Sequence, residues 1–185
     1  MKKILDELIE NKALSRESAK QTLVNIAEGK YNNSQIAAFL TTFMMRTIKV
    51  RELEGFREAL LELCVLVDFG GAPTMDMCGT GGDGKNTFNI STLSSFVVAG
   101  AGVKVAKHGN YGVSSSCGSS NVMEHLGYTF TNDQSLLNKQ LQECGITFLH
   151  APLFHPAMKA VAPIRKELGM KTFFNMLGPL VNPSK

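Results

Sequence analysis

The sequence predicts an α/β protein: a small N-terminal all-helical domain followed by a parallel-sheet α/β domain. Three observations carry that reading. Apolar residues recur at helical spacing as far as Val67, short apolar runs then alternate with helical patterns, and glycine-rich or hydroxyl-rich loops follow three of those runs. At 185 residues with 44% hydrophobic content, the chain has room for one domain plus a small satellite around a real core.

The helical spacing runs through Ile4, Leu5, Leu8 and Ile9, then Leu23, Ile26 and Ala27, then Ile36, Phe39, Leu40, Phe43 and Met44, and finally Leu53, Phe56, Leu60, Leu63 and Val67. Four helices are expected. Ser15 and Ser34 stand where N-caps belong, and Gly29 follows a helical run as a C-terminal glycine does. The boundaries that follow are a helical domain over 1–67, a hinge over 68–73 at "DFGGAP", and an α/β domain over 74–185. Within the last, short runs at "TMDMC" (74–78), "VKVAKHG" (103–109) and "ITFLHAP" (146–152) read as strands. "STLSSFVVAGAG" (91–102), "GSSNVMEHLG" (118–127), "NDQSLLNKQLQECG" (132–145) and "HPAMKAVAPIRKELG" (155–169) read as helices. In parallel sheets of this kind, ligands bind beyond the carboxyl ends of the strands.

Composition removes several functional classes. A net charge of +3 is far from the footprint of a dedicated nucleic-acid binder. No apolar run reaches the roughly 18 residues of a membrane span. Asp6, Glu7 and Glu10 interrupt the N-terminus where a signal peptide needs an apolar stretch, so a cytoplasmic, unprocessed protein is expected. Cys64, Cys78, Cys117 and Cys144 are scattered without C-x-x-C spacing, so reduced thiols are expected rather than a zinc site or a redox pair.

The first loop, "GTGGDGKNTFNIST" (79–92), matches the dinucleotide and Walker fingerprints literally but fails both on context. Polar "KNTFN" intervenes before the helix, the next strand ends in Lys107 and His108 rather than an acid, and Asn86 stands where magnesium needs a hydroxyl. What remains is a phosphate cradle, with glycines that let backbone N–H groups approach an oxyanion and Asn89, Ser91 and Thr92 at a helix N-terminus. Asp83 inside it would repel bare phosphate, so a phosphorylated sugar with magnesium fits better. The bland reading is a loop that merely turns the chain. The second loop, "AKHGNYGVSSSCGSS" (106–120), offers Lys107, His108, Asn110 and a cluster of serines to oxyanions. A solvated Lys107 and a structural His108 are the alternatives. The third contributes Pro152 and His155, with Arg165 further along the helix, its planar fork suited to a carboxylate or simply neighbouring Glu167 on a solvated face.

Together these stretches, with "FLHAPLFHPAMKAVAPIRKELGMKTFFNMLGPLVNP", resemble the anthranilate phosphoribosyltransferase family of tryptophan biosynthesis over essentially the whole chain. Pyrimidine nucleoside phosphorylases resemble the second stretch alone. The resemblance implies transfer of the phosphoribosyl group from phosphoribosyl pyrophosphate to anthranilate, giving N-(5-phosphoribosyl)anthranilate and pyrophosphate, with Mg2+ required. It implies donor binding by Gly79, Gly82, Asp83, Thr87, Asn89, Ile90, Ser91, Thr92, Lys107, His108, Gly109, Asn110, Tyr111, Gly112, Val113, Ser114, Ser115 and Ser119. Ser91 would be a magnesium ligand. Gly79, Asn110 and Arg165 would line the anthranilate site, with His108, Pro152 and His155 nearby. No residue is assigned as acid, base or nucleophile. A homodimer through the N-terminal helices is implied, with neither membrane nor nucleic acid as a partner.

The sequence departs from the family at Tyr111, where the pattern carries arginine, which puts an electrostatic contact to the donor in doubt. The resemblance also implies that family chains continue further and supply an acidic magnesium-binding pair, so the α/β domain is expected to be truncated at its C-terminal side and this chain alone to be inactive or nearly so. The readings left beside the enzyme are a non-catalytic nucleic-acid-binding relative of the same fold and a nucleoside phosphorylase-like glycosyl transferase.

Overall fold

A computed structural model describes residues 1–79, 88–112 and 117–184. In chain order the described elements are α1 (Lys2–Ile9), α2 (Arg16–Ala27), α3 (Asn33–Met45), α4 (Val50–Leu63), α5 (Ile90–Gly100), β1 (Val105–Gly109), α6 (Ser119–His125), α7 (Gln134–Cys144), β2 (Ile146–His150), α8 (Ala151–Phe154), α9 (Pro156–Lys159), α10 (Ala162–Leu168) and α11 (Phe174–Leu177), with a 3-10 turn at Gly178–Leu180. They divide into two units: Met1–Cys64 with His155–Val181, and Val65–Phe154 with Asn182–Lys185.

The first unit is helical. The Ser15 hydroxyl accepts the Ser18 N–H at 3.1 Å and starts α2. The helix ends on Gly29 at φ 72°, where the N–H groups of Gly29 and Lys30 return to the carbonyls of Ile26 and Asn25. The cap of α3 is Asn32 rather than Ser34: Asn32 Oδ1 accepts the Gln35 N–H, and Gln35 Oε1 accepts the Asn32 N–H. A reciprocal capping box satisfies two orphan donors, which a hydroxyl at position 34 cannot match.

Segment 155–181 packs with α1 to α4. Its Val161, Ile164, Phe173, Phe174, Leu177 and Val181 share one core with Leu23, Phe39, Phe43, Phe56 and Leu60. The Phe173 ring stacks on Phe56 at 4.4 Å, and Phe39 meets both Phe43 and Phe56 edge-on. Hydrophobic burial, not position along the chain, decides this membership. The helix expected over 155–169 is two short ones, because the Pro163 ring would meet the carbonyl of Lys159, where α9 stops.

Fully buried Glu52 is the unit's polar anchor. Its carboxylate accepts the backbone N–H groups of Leu14 and Lys49, each at 2.9 Å, and pairs with Arg46 through both guanidinium nitrogens. Burial alone would raise its pKa, but the Arg46 bonds and the two N–H donors outweigh burial and hold the carboxyl below its ordinary range. A depressed folded pKa contributes stability that is present above the unfolded value of about 4.3 and lost as pH falls through the folded value. Glu52→Gln is therefore expected to lose about 3–5 kcal/mol at pH 7 and to flatten the acid side of the stability profile, as read by urea unfolding between pH 3 and 7.

The second unit carries the sheet. β1 and β2 pair in parallel, residue by residue from Val105↔Ile146 to Gly109↔His150. Val67, Ala106, Leu137, Leu149 and Phe154 form its apolar core. Gly145, at φ 71°, closes α7 and turns the chain directly into β2. Of the run 74–78, only Met75 joins the sheet, by a parallel bridge to Val105. The Met75 N–H and carbonyl take Lys104 and Ala106, but the next donor, the His108 N–H, goes to the Asp76 carboxylate. Side chains then replace the ladder, so the expected strand ends after one residue. No helix among the described residues is long and apolar enough to cross a membrane.

Candidate functional site

The site is built around the end of β1, buried at all five positions including Lys107 and His108. Lys107 Nζ donates to the Met77 carbonyl at 3.1 Å, so the lysine points into the protein, and burial lowers its pKa against the pull of Cys78 and Asp76. Asp76 Oδ1 accepts the N–H groups of Cys78 at 2.9 Å and His108 at 3.0 Å. Burial raises the Asp76 pKa, offset in part by the Asn182 amide, the His108 N–H and Lys107. Asn182 lies beside that carboxyl, outside hydrogen-bond geometry, and donates to the Ala106 carbonyl at 2.9 Å. Burial, with Asp76 adding to it, pushes the Cys78 thiol up to about 11. The segment 76–78 is thus clamped to β1 immediately before Gly79, the first glycine of the cradle.

Gly79 faces the first turn of α5. A Cβ there would stand 2.9 Å from Ser91 Oγ, so glycine leaves that hydroxyl room in its present rotamer. Asn89 occupies the cap position of the helix and its Oδ1 accepts the Thr92 hydroxyl at 2.7 Å, while Ile90 is exposed. Ser91 and Thr92 therefore sit where a helix leaves backbone donors and positive dipole for an anion. Gly82, Asp83 and Thr87 of the cradle lie outside the described residues, as do Val113, Ser114 and Ser115 of the second loop.

After Gly109 the chain turns over the start of α6. Asn121 Oδ1 accepts the N–H groups of both Gly112 and Gly118, and the Asn110 carbonyl accepts the Ser120 N–H at 3.1 Å and the Ser119 hydroxyl at 3.4 Å. Tyr111 is fixed from two sides. Its hydroxyl donates to Glu124, which raises its pKa, and its ring meets His150 edge-on at 5.0 Å. His150 stacks on Phe130 at 4.1 Å, and its Nδ1 lies 2.8 Å from the Ser120 hydroxyl. Burial lowers the His150 pKa against Glu124, so the ring is neutral at pH 7. Sequence reasoning missed this support of Ser120, Asn121, Glu124, Phe130 and His150. The one available signal was His150 at the carboxyl end of a run already read as a strand.

Pro152 lies on α8 in the second unit, whereas His155 and Arg165 belong to the first. His155 is fully buried. Arg165 is not on a solvated face with Glu167: burial lowers its pKa, one guanidinium nitrogen donates to Asn175 Oδ1 at 3.1 Å, and the group lies over the Phe174 ring. Its buried Nε has no hydrogen-bond partner among the described residues. A half-buried guanidinium with a spare donor is suited to a carboxylate.

The glycosyl transferase family's helical bundle domain matches residues 2–64, and its a/b domain matches residues 71–185. The chain is 68% identical over 184 residues to the anthranilate phosphoribosyltransferase of Flavobacterium johnsoniae and 61% identical to that of Cytophaga hutchinsonii, covering all of this chain and 56% of each relative. It thus spans about half the length of the curated relatives it matches. Among solved structures, anthranilate phosphoribosyltransferase from Thermus thermophilus superposes with a TM-score of 0.86 at 37% identity, covering 97% of this chain and 55% of that one. The Saccharomyces cerevisiae enzyme in complex with PRPP and Mg gives 0.84 at 32%, over 97% and 54%. With both of its domains matched in order, the chain belongs to the glycosyl transferase family.

Proposed function

We propose that this chain carries the donor-binding part of an anthranilate phosphoribosyltransferase, which moves the phosphoribosyl group of phosphoribosyl pyrophosphate onto anthranilate in tryptophan biosynthesis. The observation that carries the reading is the open Ser91 hydroxyl facing Gly79 at the start of α5, in a chain 68% identical to a relative of that name. In the reaction the bond from the anomeric carbon to pyrophosphate breaks, a bond to the anthranilate nitrogen forms, and that nitrogen loses a proton. An aromatic amine is already neutral at pH 7, so no general base is needed. Positioning and electrostatics are the protein's contribution, and orientation alone is worth roughly 7–11 kcal/mol, against about 1–3 for one hydrogen bond.

Ser91, Thr92 and Asn89, with the backbone at Gly79, bind donor phosphate, and the turn Asn110–Gly112 closes over it. Lys107 acts from beneath by holding Met77, which sets where Gly79 begins. Arg165, whose guanidinium keeps a spare donor, receives the anthranilate carboxylate. The Ser91 hydroxyl, a hard oxygen donor kept open by Gly79, fits Mg2+, which supplies charge neutralisation for the departing pyrophosphate. The apolar side chains of Ile9, Met45 and Val50 are exposed on α1, α3 and α4, which supports a homodimer through the helical bundle. The four cysteines form no disulfide, in keeping with the cytoplasm.

Calorimetric titration of phosphoribosyl pyrophosphate, with and without Mg2+, tests the reading. Magnesium-dependent binding that weakens about tenfold in Ser91→Ala, the loss of one charge-assisted contact, is expected. No binding by the folded chain, or binding indifferent to Ser91, would count against it.

A further inference from the structure

Asp76, Cys78 and His108 form a cluster that the proposed transfer does not need in that combination. One carboxylate oxygen, the thiol sulfur and one imidazole nitrogen all lie within 4.8 Å of one another. A tetrahedral ion with bonds of about 2.0–2.3 Å needs its ligand atoms roughly 3.5 Å apart, so closing the cluster takes movements of the order of 1 Å. The three residues are already tied together, because Asp76 Oδ1 holds the backbone N–H groups of both Cys78 and His108. Asp76 Oδ2 is buried with no hydrogen-bond partner among the described residues, leaving an acceptor turned away from water. Gly79, next in the chain, is exposed and provides an approach.

We propose that Asp76, Cys78 and His108 bind a thiophilic divalent cation of the Zn2+ class. The donor set selects that class. A sulfur and an imidazole nitrogen suit zinc, cobalt or copper, whereas magnesium and calcium take oxygen ligands. Three protein ligands leave a fourth position for water, as in open zinc sites. Binding forms a metal–sulfur bond and releases the Cys78 proton to solvent. The carboxylate and thiolate then balance the charge of the ion, and the nearby Lys107 ammonium, already destabilised by burial, is the group that opposes it. The site is distinct from the oxygen ligand Ser91 in its chemistry, and it stands whether or not the donor reading does. Because His108 is also implied in donor binding, an ion here withdraws its imidazole from that role.

Cobalt(II) is the probe, since a thiolate ligand adds an intense near-ultraviolet charge-transfer band and tetrahedral geometry adds visible absorption. One equivalent is expected to produce both, with Zn2+ displacing it. The band is expected to vanish in Cys78→Ser, and zinc affinity, measured by chelator competition, to fall about 100-fold or more there, beyond the 10–100-fold of a lost supporting group. The triple variant Cys64→Ser/Cys117→Ser/Cys144→Ser is expected to keep the band, which secures the assignment even if Cys78→Ser folds poorly. A wild-type protein without the band, or a triple variant that loses it, overturns the proposal. So does a band that survives in folded Cys78→Ser.

Discussion

Gly118→Ala is expected to separate the turn 110–112 from α6 and to weaken the proposed donor binding. An added Cβ would lie 2.3 Å from the Gly112 nitrogen, 2.4 Å from the Tyr111 carbonyl carbon and 2.6 Å from the Asn110 oxygen. All three are backbone atoms, so no rotamer change relieves the contact, and the turn 110–112 must leave the start of α6. At φ −94° and ψ 177° the backbone at 118 accepts alanine without strain, so the effect isolates the close approach. The separation breaks the Asn121 bridge to Gly112 and Gly118 and the bond from Ser120 N–H to Asn110. Hydrogen exchange at Gly112 and Ser120 is expected to rise by about 100-fold or more, since two or more bonds of about 1–1.5 kcal/mol each are lost. Affinity for phosphoribosyl pyrophosphate is expected to fall with it. Unchanged protection at both amides would show that the loop accommodates a methyl group and that the close approach is not what orders it.

Gly55→Ala should produce the largest loss of stability from a single methyl group. Gly55 lies in α4 where it crosses α2, and its Cβ would stand 2.2 Å from the Arg16 carbonyl oxygen, 2.9 Å from Ala19 Cβ and 3.0 Å from the Lys20 nitrogen. Alanine gains about 1 kcal/mol of helix propensity, but overpacking costs about 1–3 and more where backbone meets backbone. Moving the helices apart also strains the shared core around Phe56 and Leu60. The net expectation is a loss of about 2 kcal/mol or more, a drop in Tm of roughly 4–8 °C. Gly100→Ala is the control: it ends α5 with nothing within 4 Å of its Cβ and is expected to be neutral or slightly stabilising. Equal melting temperatures for the two variants would mean that the α2–α4 crossing yields freely.

What could be read from the sequence divides along physical lines. Local signals carried the four N-terminal helices, β1 and β2, because hydrophobic period and caps are properties of neighbouring residues. The Asn32 cap was legible too, in Asn32-x-x-Gln35, yet Ser34 offered the same residue class two places later. Pro163 announced the break between α9 and α10. Other features depend on distant partners. That Phe173 and Phe174 join the helical core, or that Lys107 turns inward to Met77, requires knowing what fills the space opposite. The same holds for the site. Gly79, Ser91 and Asn110 stood out by type and order, whereas Ser120 and His150, thirty residues apart, meet only once the sheet is paired.

The end of the Met75 bridge bears on how such a loop changes over generations. Between β1 and β2 the spacing is enforced by main-chain bonds that every residue supplies, so substitution cannot easily alter it. From Asp76 onward, the path toward Gly79 is held instead by one carboxylate and one ammonium. Those are encoded by two codons. Point mutation at either position can therefore shift the backbone path from Asp76 to Gly79 while leaving the pairing of β1 with β2 untouched, so this junction can drift where the sheet cannot.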